Sequence, residues 1–389
     1  MRVLNVVGAR PNLMKIAPLV EEMRRYPDIR QRLLHTGQHY DEAMSQVFFD
    51  ELGIPRPDLY LGVGSGSHAE QTARVMVGFE QVLLEDRPDV VVVVGDVNST
   101  LACAITAAKV GVPLAHVEAG LRSFDRTMPE EINRVVTDAL ADFLFTTSRE
   151  ADENLRREGI PAEKVFFVGN VMIDTLLRHR ERARTLGTPA RFGLQPGCYA
   201  LLTLHRPSNV DDPVVFSGIL DALVEIQREL PLLFPIHPRT AGRLRDFGLE
   251  KRLEAAPNLR LVEPLGYLEF LDLMMHARVV LTDSGGIQEE TTILGIPCLT
   301  LRENTERPVT LTEGTNTLVG SDPVRIVDGV RRILAGESKA GRVPELWDGH
   351  AGRRIVEILR DWATRGSHPT GTAPSCPATD RGPALPQWA

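Results

Sequence analysis

The residues that most directly suggest chemistry lie together in residues 281–290, which run Leu-Thr-Asp-Ser-Gly-Gly-Ile-Gln-Glu-Glu. The apolar residues 279–281 predict a buried strand, and a helix is predicted to begin after the glycines. Glycines allow the backbone to approach a ligand closely, and the N–H groups at a helix start favour an anion. A carboxylate one turn into the helix cannot bind phosphate, which suggests that it holds ribose hydroxyls. The stretch therefore predicts a nucleoside diphosphate site at Ser284, Gly285, Gly286 and Glu290, with a serine-capped turn as the alternative.

Three basic residues are candidates for holding the phosphates. Arg10 and Lys15 flank the first predicted loop-to-helix turn, where two cations could bind a diphosphate or a leaving group. A solvated surface pair is the structural alternative for these two residues. Arg307, within Thr-Glu-Arg-Pro, is placed to reach the same phosphates. Glu306 is either the partner of Arg307 or a solvated charge.

Asp96, Glu118 and Glu130 form a set of candidate catalytic acids. Asp96 and Glu118 end predicted strands, and Glu130 follows Pro129 at a predicted helix start. Singly, Asp96 suits an Asx turn and Glu130 a favourable charge at a helix start. Carboxylates brought together in one cleft shift each other's pKa values, so that one can hold a proton while another acts as a base. As a set they predict acid–base chemistry.

Histidines supply further candidates. His205 and Arg206 follow the first predicted strand of the second half and are expected to face the same cleft. His205 could be an acid, a base or a phosphate donor, or else a structural histidine. His237, before Pro238, is a second candidate, whereas His116 lies inside an apolar strand and is expected to make a structural hydrogen bond.

The elements that must position these residues alternate between short apolar runs and amphipathic stretches. Continuous apolar runs such as residues 90–94, all valine, are typical of strands covered on both faces, as in a parallel sheet. The intervening stretches suit crossover helices, so the chain is predicted to be α/β. The candidate residues follow six different strands, and the carboxyl ends of strands in such sheets line a ligand crevice.

The pattern resets near residue 187, which predicts two doubly wound, Rossmann-like domains facing a cleft. We expect an N-terminal domain over residues 1–172 that carries the acids. A nucleotide-binding domain is expected over residues 190–350, followed by a closing helix at 351–365. Residues 366–389, rich in Ser, Thr, Pro, Gly and Ala, are predicted to be a disordered tail.

Length and composition exclude several classes of protein. The 389 residues suit two domains, and the net charge of −8 argues against nucleic-acid binding. The four cysteines form no CxxC pair, so reduced thiols are expected rather than a metal site or disulfides. Because no signal peptide or membrane-spanning apolar run is apparent, we expect a cytoplasmic protein that does not bind membranes.

The motifs together resemble those of the non-hydrolysing UDP-N-acetylglucosamine 2-epimerases, over residues 1 to about 364. The resemblance implies a fold like that of the GT-B glycosyltransferases, a UDP-sugar substrate, a homodimer, and inversion at the sugar C2 without NAD or metal. The family route eliminates UDP with loss of the C2 proton, giving a 2-acetamidoglucal to which UDP adds back. The motifs that carry the resemblance are Gly8-Ala9-Arg10-Pro11 with Lys15, Gly95-Asp96, residues 116–122, residues 129–134, His205-Arg206, residues 283–290 and residues 305–308.

Position by position, the resemblance implies roles for most of the candidates. Asp96, Glu118 and Glu130 are expected to handle proton transfers, while His205 and Arg10 stabilise the diphosphate. The other implied substrate and UDP contacts are Lys15, Arg206, Phe270 at the uracil, Ser284, Gly285, Gly286, Glu290 and Arg307. The resemblance does not decide which acid is the base on which face.

The chain departs from the family at a second, allosteric substrate site. Gln38, His39, Gln71 and His237 are candidates for that site, but Ser208 replaces its glutamate and Glu70 its arginine. An anion in place of a phosphate-facing cation should weaken binding, so we expect weak or absent allosteric activation. The departures also leave open a related substrate, UDP-2,3-diacetamido-2,3-dideoxyglucuronic acid. A hydrolysing epimerase, a glycosyltransferase of the same fold and a nucleotide-sugar sensor are the alternative functions.

Overall fold

The structure is a computed structural model that describes residues 1–38 and 49–365. The predictions made for His39 and for the tail at 366–389 lie outside the described residues. The described part forms two parallel sheets of seven and six strands. The α/β prediction, with two doubly wound domains, is confirmed.

The first sheet has the strand order β3-β2-β1-β4-β5-β6-β7. Its strands are β1 (Arg2–Val7), β2 (Arg30–His35), β3 (Leu59–Tyr60), β4 (Val90–Val94), β5 (Leu114–Ala119), β6 (Phe143–Thr146) and β7 (Val165–Phe167). Its helices are α1 (Arg10–Met23), α2 (His68–Glu85), α3 (Asn98–Val110), α4 (Pro129–Leu140), α5 (Arg149–Arg157) and α6 (Val171–Arg184), with a 3₁₀ turn at Ala162–Lys164.

The second sheet has the order β10-β9-β8-β11-β12-β13. Its strands are β8 (Ala200–Thr203), β9 (Leu232–Pro235), β10 (Leu259–Val262), β11 (Val279–Thr282), β12 (Cys298–Thr300) and β13 (Asn316–Leu318). The helices are α7 (Thr188–Arg191), α8 (Pro207–Val210), α9 (Pro213–Ile226), α10 (Pro238–Asp246), α11 (Glu250–Glu254), α12 (Tyr267–His276), α13 (Gly285–Leu294), α14 (Pro308–Thr312), α15 (Pro323–Leu334) and α16 (Ala351–Thr364).

The valine run of β4 shows why these strands are apolar throughout. Val90, Val92 and Val94 pack into the core that contains α1, whereas Val91 and Val93 pack into a second core beneath α2 and α3. Alternate side chains of a strand point to opposite faces, so a strand covered on both faces must be apolar at every position.

Both sheets reverse their strand order at one point, between β1 and β4 in the first and between β8 and β11 in the second. Open parallel sheets bind ligands at such switch points because the connections leave in opposite directions and open a crevice. Gly8 and Gly95 follow the two strands at the first switch point, and His205 and Asp283 follow those at the second.

The last helix, α16, returns to the first domain. Asp174 of α6 accepts hydrogen bonds from the backbone N–H groups of Ala351 (3.1 Å) and Gly352 (2.7 Å), which fixes the start of α16. Near its end, the Trp362 ring lies edge-on to Phe143 of β6 at 5.2 Å between centroids. The chain therefore crosses between the domains twice.

The rest of the described chain adds three simple facts. No helix among residues 1–38 and 49–365 is long and apolar enough to cross a membrane. Within the same ranges, no group of three His, Cys, Asp or Glu side chains is placed to hold a metal ion. Cys103, Cys198 and Cys298 are free thiols.

Candidate active site

The carboxylate of Glu118 is presented by an irregularity at the end of β5. The strand was predicted to end at Glu118, but pairing with β6 resumes at Ala119 after a register shift. Glu118 itself adopts φ of 74°, a left-handed conformation that costs about 1–3 kcal/mol for a residue other than glycine. This turn sends the Glu118 side chain out of the pleat to the carboxyl edge of the sheet, where its side chain is only 3% exposed.

Lys15 of α1 forms an ion pair with Glu118 across the first switch point. Gly95 makes room for this pair, because a Cβ at Gly95 would lie 2.8 Å from Lys15 Nζ and 3.5 Å from Glu118 Oε2. Gly95 also has φ of 67°, which disfavours any side chain. A predicted phosphate-binding cation and a predicted acid are therefore in direct contact.

Arg307, at the start of α14 in the second domain, completes this cluster. Its Nη2 donates to Glu118 Oε1 at 2.7 Å, its Nε lies 2.8 Å from Glu289 Oε1, and its Nη1 pairs with Glu306. The guanidinium lies against the glycine turn, since a Cβ on Gly285 would be 2.8 Å from Arg307 Cζ. Glu306 is therefore the partner of Arg307, and not a solvated charge.

Glu289 is a member of the cluster that the sequence did not single out. Its side chain is fully buried, and Arg307 is its ionic partner within the described chain. Burial raises the pKa of Glu289 to about 7, and repulsion from Glu118 adds to this effect, while Arg307 and Lys15 oppose it.

Asp96, just after β4, is held by helix α4. Asn133 donates to the Asp96 carbonyl oxygen at 2.8 Å, and Arg134 Nε lies 3.1 Å from Asp96 Oδ2. Burial acts to raise the pKa of Asp96, but the charges of Arg134, Lys15 and Arg307 outweigh it and keep the pKa below its ordinary value. Asp96 is therefore an ionised carboxylate facing the same cations as Glu118.

Glu130 lies in the first turn of α4, after Pro129 as predicted. Its side chain is half-buried, and its carboxylate makes no hydrogen bond or ion pair with any other described residue. The next residue, Glu131, instead accepts hydrogen bonds from Ser123 N and Phe124 N at 2.9 Å and pairs with Arg134. Glu131 is thus structural, while Glu130 keeps both oxygens available to a ligand.

Asp283 ties together the two loops at the second switch point. Its Oδ2 accepts from the backbone N–H groups of His205 (2.9 Å) and Arg206 (2.8 Å), and its Oδ1 lies 2.9 Å from His205 Nδ1. Burial would raise the pKa of Asp283, but His205 and these N–H groups lower it to about 2. The permanent carboxylate fixes the His205 ring and leaves its Nε2 for another partner.

Arg206 and His237 flank this pair. Arg206 Nε donates to the Asp283 carbonyl at 3.0 Å, and its Nη2 lies 3.7 Å from Glu306. The His237 ring lies 5.6 Å from that of His205, centroid to centroid. Burial lowers the pKa of His237 to about 4, with further lowering by the charges of His205 and Arg10. Arg10 is therefore close enough to His237 for its charge to act on that ring.

The predicted nucleoside contacts lie along α12 and α13. Ser284 occupies the N-cap position of α13 without a side-chain capping hydrogen bond, and Gly286 is half-buried. Glu290 is buried and accepts a hydrogen bond from Tyr267 Oη at 2.8 Å. Burial raises the pKa of Glu290 to about 7, an effect that the Tyr267 bond opposes and Glu289 reinforces. Phe270, one turn after Tyr267, is half-buried on α12.

Gln38 and Gln71 form a separate polar cluster on the first domain. Gln38 Oε1 accepts from Ser99 N at 2.9 Å, and Gln71 Nε2 reaches the Gln38 carbonyl at 3.4 Å. Asn98 donates to Gln71 at 3.0 Å. The structure thus brings Gln38 and Gln71 together, whereas His237 stands with His205 at the second switch point.

Comparison with known proteins agrees with this geometry. A model of the UDP-N-acetylglucosamine 2-epimerase family matches residues 21–360. The chain belongs to this family. The Methanocaldococcus jannaschii UDP-N-acetylglucosamine 2-epimerase is 43% identical over 364 residues, which span 92% of this chain and 99% of that relative.

One further relative and one solved structure are also informative. The Pseudomonas aeruginosa UDP-2,3-diacetamido-2,3-dideoxy-D-glucuronate 2-epimerase is 41% identical over 362 residues, spanning 92% of this chain and 99% of that protein. The crystal structure of the M. jannaschii enzyme in complex with UDP-GlcNAc and UDP superposes with a TM-score of 0.87, at 43% identity, covering 93% of this chain and 100% of that one. The predicted resemblance and the GT-B-like fold are thereby confirmed.

Proposed function

We propose that the protein is a non-hydrolysing UDP-N-acetylglucosamine 2-epimerase, which interconverts UDP-GlcNAc and UDP-ManNAc. The observation that carries the proposal is the double contact of Arg307, which lies against the Gly285 turn and donates to Glu118. A diphosphate seated on this turn adjoins an acid of the opposite domain. Breaking the bond between C1 and the diphosphate and removing the C2 proton can then occur in one enclosed space.

Departure of the diphosphate is the step that needs the cations. The C2 proton of the sugar is not activated by a carbonyl group, so a base alone is insufficient. Stabilising the leaving UDP must therefore account for much of the reduction in the activation barrier. Fixed positive groups at that place stabilise it most effectively. We assign this role to Arg10, Lys15, Arg206, His205 and Arg307, together with the N–H groups of Ser284, Gly285 and Gly286.

Proton transfer falls to Asp96, Glu118 and Glu130 of the first domain. One of them takes the C2 proton as UDP leaves, and another delivers a proton to the opposite face before UDP adds back. Because the neighbouring cations hold the pKa of Asp96 below its ordinary value, Asp96 is ionised and has a free lone pair with which to accept a proton. Glu130 keeps both oxygens free of described partners and suits either role. Glu290 and Phe270 are assigned to the ribose and the uracil.

A second substrate is favoured by one observation. The P. aeruginosa relative, which is named for a diacetamido glucuronate, is nearly as similar to this chain as the M. jannaschii protein is. A uronate substrate would use the same elimination and re-addition, since the reaction changes only C1 and C2. Both UDP-sugars should therefore be offered to the protein.

Nuclear magnetic resonance of the reaction in deuterium oxide tests the proposal. UDP-GlcNAc should be converted in part to UDP-ManNAc, with deuterium at C2 and with the nucleotide retained. Free UDP with free N-acetylmannosamine would instead establish a hydrolysing epimerase, and sugar transfer to an added acceptor would establish a glycosyltransferase. Conversion of the uronate alone would assign the related substrate, and no change in any substrate would favour a sensor.

We further infer a homodimer in the cytoplasm. Val77 and Leu84, seven residues apart on α2, are 73% and 66% exposed, so they share an apolar face that a second copy could cover. Light scattering after gel filtration should give twice the monomer mass of 43.0 kDa. Val77→Asp with Leu84→Asp should give the monomer mass, and cell fractionation tests the location.

A further inference from the structure

A fully buried histidine lies directly behind the candidate acids. His116 of β5 is 0% exposed, and its Nε2 lies 2.8 Å from the carbonyl oxygen of Gly95, the residue before Asp96. Its Nδ1 lies 2.6 Å from Asp138 Oδ1 on α4. The structural hydrogen bond predicted for His116 is thus confirmed, and His116 makes two such contacts.

Both ring nitrogens of His116 face acceptors. A carbonyl oxygen can only accept, so Nε2 must carry a proton. The second oxygen of Asp138 accepts from Gly120 N at 3.0 Å and lies 2.7 Å from Arg122 Nη1. The Gly120 N–H group and the Arg122 guanidinium both face Asp138, which favours its carboxylate form, so Nδ1 also carries a proton.

The resulting buried charge is balanced. Arg122 Nη2 pairs with Glu158 Oε2 at 2.6 Å, which makes a chain of four charges with two cations and two anions. Glu158 reaches the solvent, with 35% of its side chain exposed, whereas His116, Asp138 and Arg122 are enclosed. Buried charges persist when they are paired and hydrogen-bonded in this way.

The same carboxylate controls the backbone around both acids. Through His116 it holds the Gly95 carbonyl, next to Asp96, and through the Gly120 N–H it holds the left-handed turn that presents Glu118. Arg134, one turn earlier on α4, fixes the Asp96 side chain. Helix α4 therefore organises the loops after both β4 and β5.

We propose that Asp138 is a positioning residue that acts through a doubly protonated His116 to hold Asp96 and Glu118 in their reactive arrangement. The charge on His116 follows from its contacts alone. The effect of Asp138 on turnover rests on the proposed epimerase function.

The charge can be measured on the ligand-free protein by nuclear magnetic resonance of histidine labelled with ¹⁵N in the ring. At pH 7.5, both ring nitrogens of His116 should show attached protons, as its two acceptor contacts require. His116→Asn identifies the signal by its loss. A neutral ring with one bare nitrogen would overturn the proposal, whether or not Asp138 variants fold and whether or not the epimerase function holds.

Kinetics test the positioning. Asp138→Asn keeps an acceptor for Gly120 but removes the charge, so His116 should lose one ring proton and kcat should fall by about 10- to 100-fold, the usual effect of losing a supporting partner behind a reactive group. KM should change less than about threefold. Asp272→Asn, a buried carboxylate that likewise accepts a backbone N–H group and lies beside a histidine, is the matched control and should keep kcat. Equal loss in both variants, or unchanged kcat in Asp138→Asn, would contradict the proposal.

Discussion

Arg307 Nη2 of the second domain lies 2.7 Å from Glu118 Oε1 of the first domain. A diphosphate that binds Arg307 has to compete for the guanidinium with Glu118, Glu289 and Glu306. Because Lys15 remains beside Glu118, the acid keeps one cation when the other is drawn to the ligand. In the proposed function, occupancy of the nucleotide site would thus be linked to the electrostatic state of Glu118.

Replacing the guanidinium group of Arg307 should weaken nucleotide binding. Arg307→Lys keeps a charge but loses the three-way geometry, and charge-assisted hydrogen bonds contribute about 1.5–3 kcal/mol, so UDP affinity should drop by about 10- to 100-fold. Titration calorimetry with UDP measures it. Arg325→Lys, an exposed arginine of the same domain, should bind UDP as the native protein does. Native affinity in Arg307→Lys would remove Arg307 from the diphosphate site.

Neutralising Asp96 should stop chemistry while leaving binding intact. Asp96→Asn preserves the shape but cannot accept a proton, and losing a general base lowers kcat by about 10²- to 10⁴-fold. Asp89→Asn, which alters an exposed partner of Arg2, should keep kcat. Turnover by the C2 deuterium assay and UDP affinity by calorimetry should be measured on both variants. A loss of UDP affinity equal to the loss of kcat would point to a binding role. Glu118→Gln is expected to behave as Asp96→Asn does.

The ribose role of Glu290 can be tested with a ligand that lacks a hydroxyl group. Glu290→Ala should weaken UDP binding by about tenfold, as expected for a charged hydrogen bond. The native protein should discriminate against 2′-deoxy-UDP or 3′-deoxy-UDP, and the variant should bind at least one of them as it binds UDP. Unchanged UDP affinity in Glu290→Ala would show the assignment to be wrong.

Glu290 should also make stability depend on pH. Its pKa is about 7 in the folded protein and ordinarily 4.5, so between these values the folded state holds a proton that the unfolded state has lost. Stability should therefore fall as pH rises through this window, by about 3 kcal/mol for this one group, and the loss is complete above pH 7. Urea unfolding at pH 5 and pH 8 should show a smaller difference for Glu290→Gln than for the exposed control Glu85→Gln. Equal differences would contradict the prediction.

Allosteric activation by substrate should be weak or absent. Glu70 is exposed and caps α2 by accepting from Ser67 N at 2.9 Å, so a carboxylate stands where a phosphate-binding cation is expected. Initial rates against UDP-ManNAc should follow a hyperbola, and trace UDP-GlcNAc should not raise them. A sigmoidal curve that trace UDP-GlcNAc abolishes would contradict the prediction, and Glu70→Arg is the variant in which activation should appear.

The sequence predicted the parts of the fold that depend on burial over several residues. The run at residues 90–94 predicted β4 because a central strand is apolar on both faces. The two residues of β3 and the three of β13 carry no such pattern, since edge strands are short and half-exposed. The extension of β5 to Ala119 was missed because it depends on a left-handed Glu118, which tertiary contacts impose.

The sequence predicted those parts of the candidate site where a residue type has one common role in its local context. The glycine turn and its helix were found because glycines after a strand indicate close approach. The sequence analysis selected Glu290 instead of Glu289, because only the fold shows that Glu289 faces Arg307. Arg134 lies one turn after Glu130, and this spacing could have identified Arg134 as a residue of the candidate site. The roles of the site residues stay predictions.

The return of α16 to the first domain has a mechanical consequence. Two covalent crossings join the domains, one after α6 and one before α16. Two connections restrict the relative motion of the domains more than one would, and they favour rotation about the line that joins them. The hydrogen bonds from Ala351 and Gly352 to Asp174 fix one of these two connection points on the first domain.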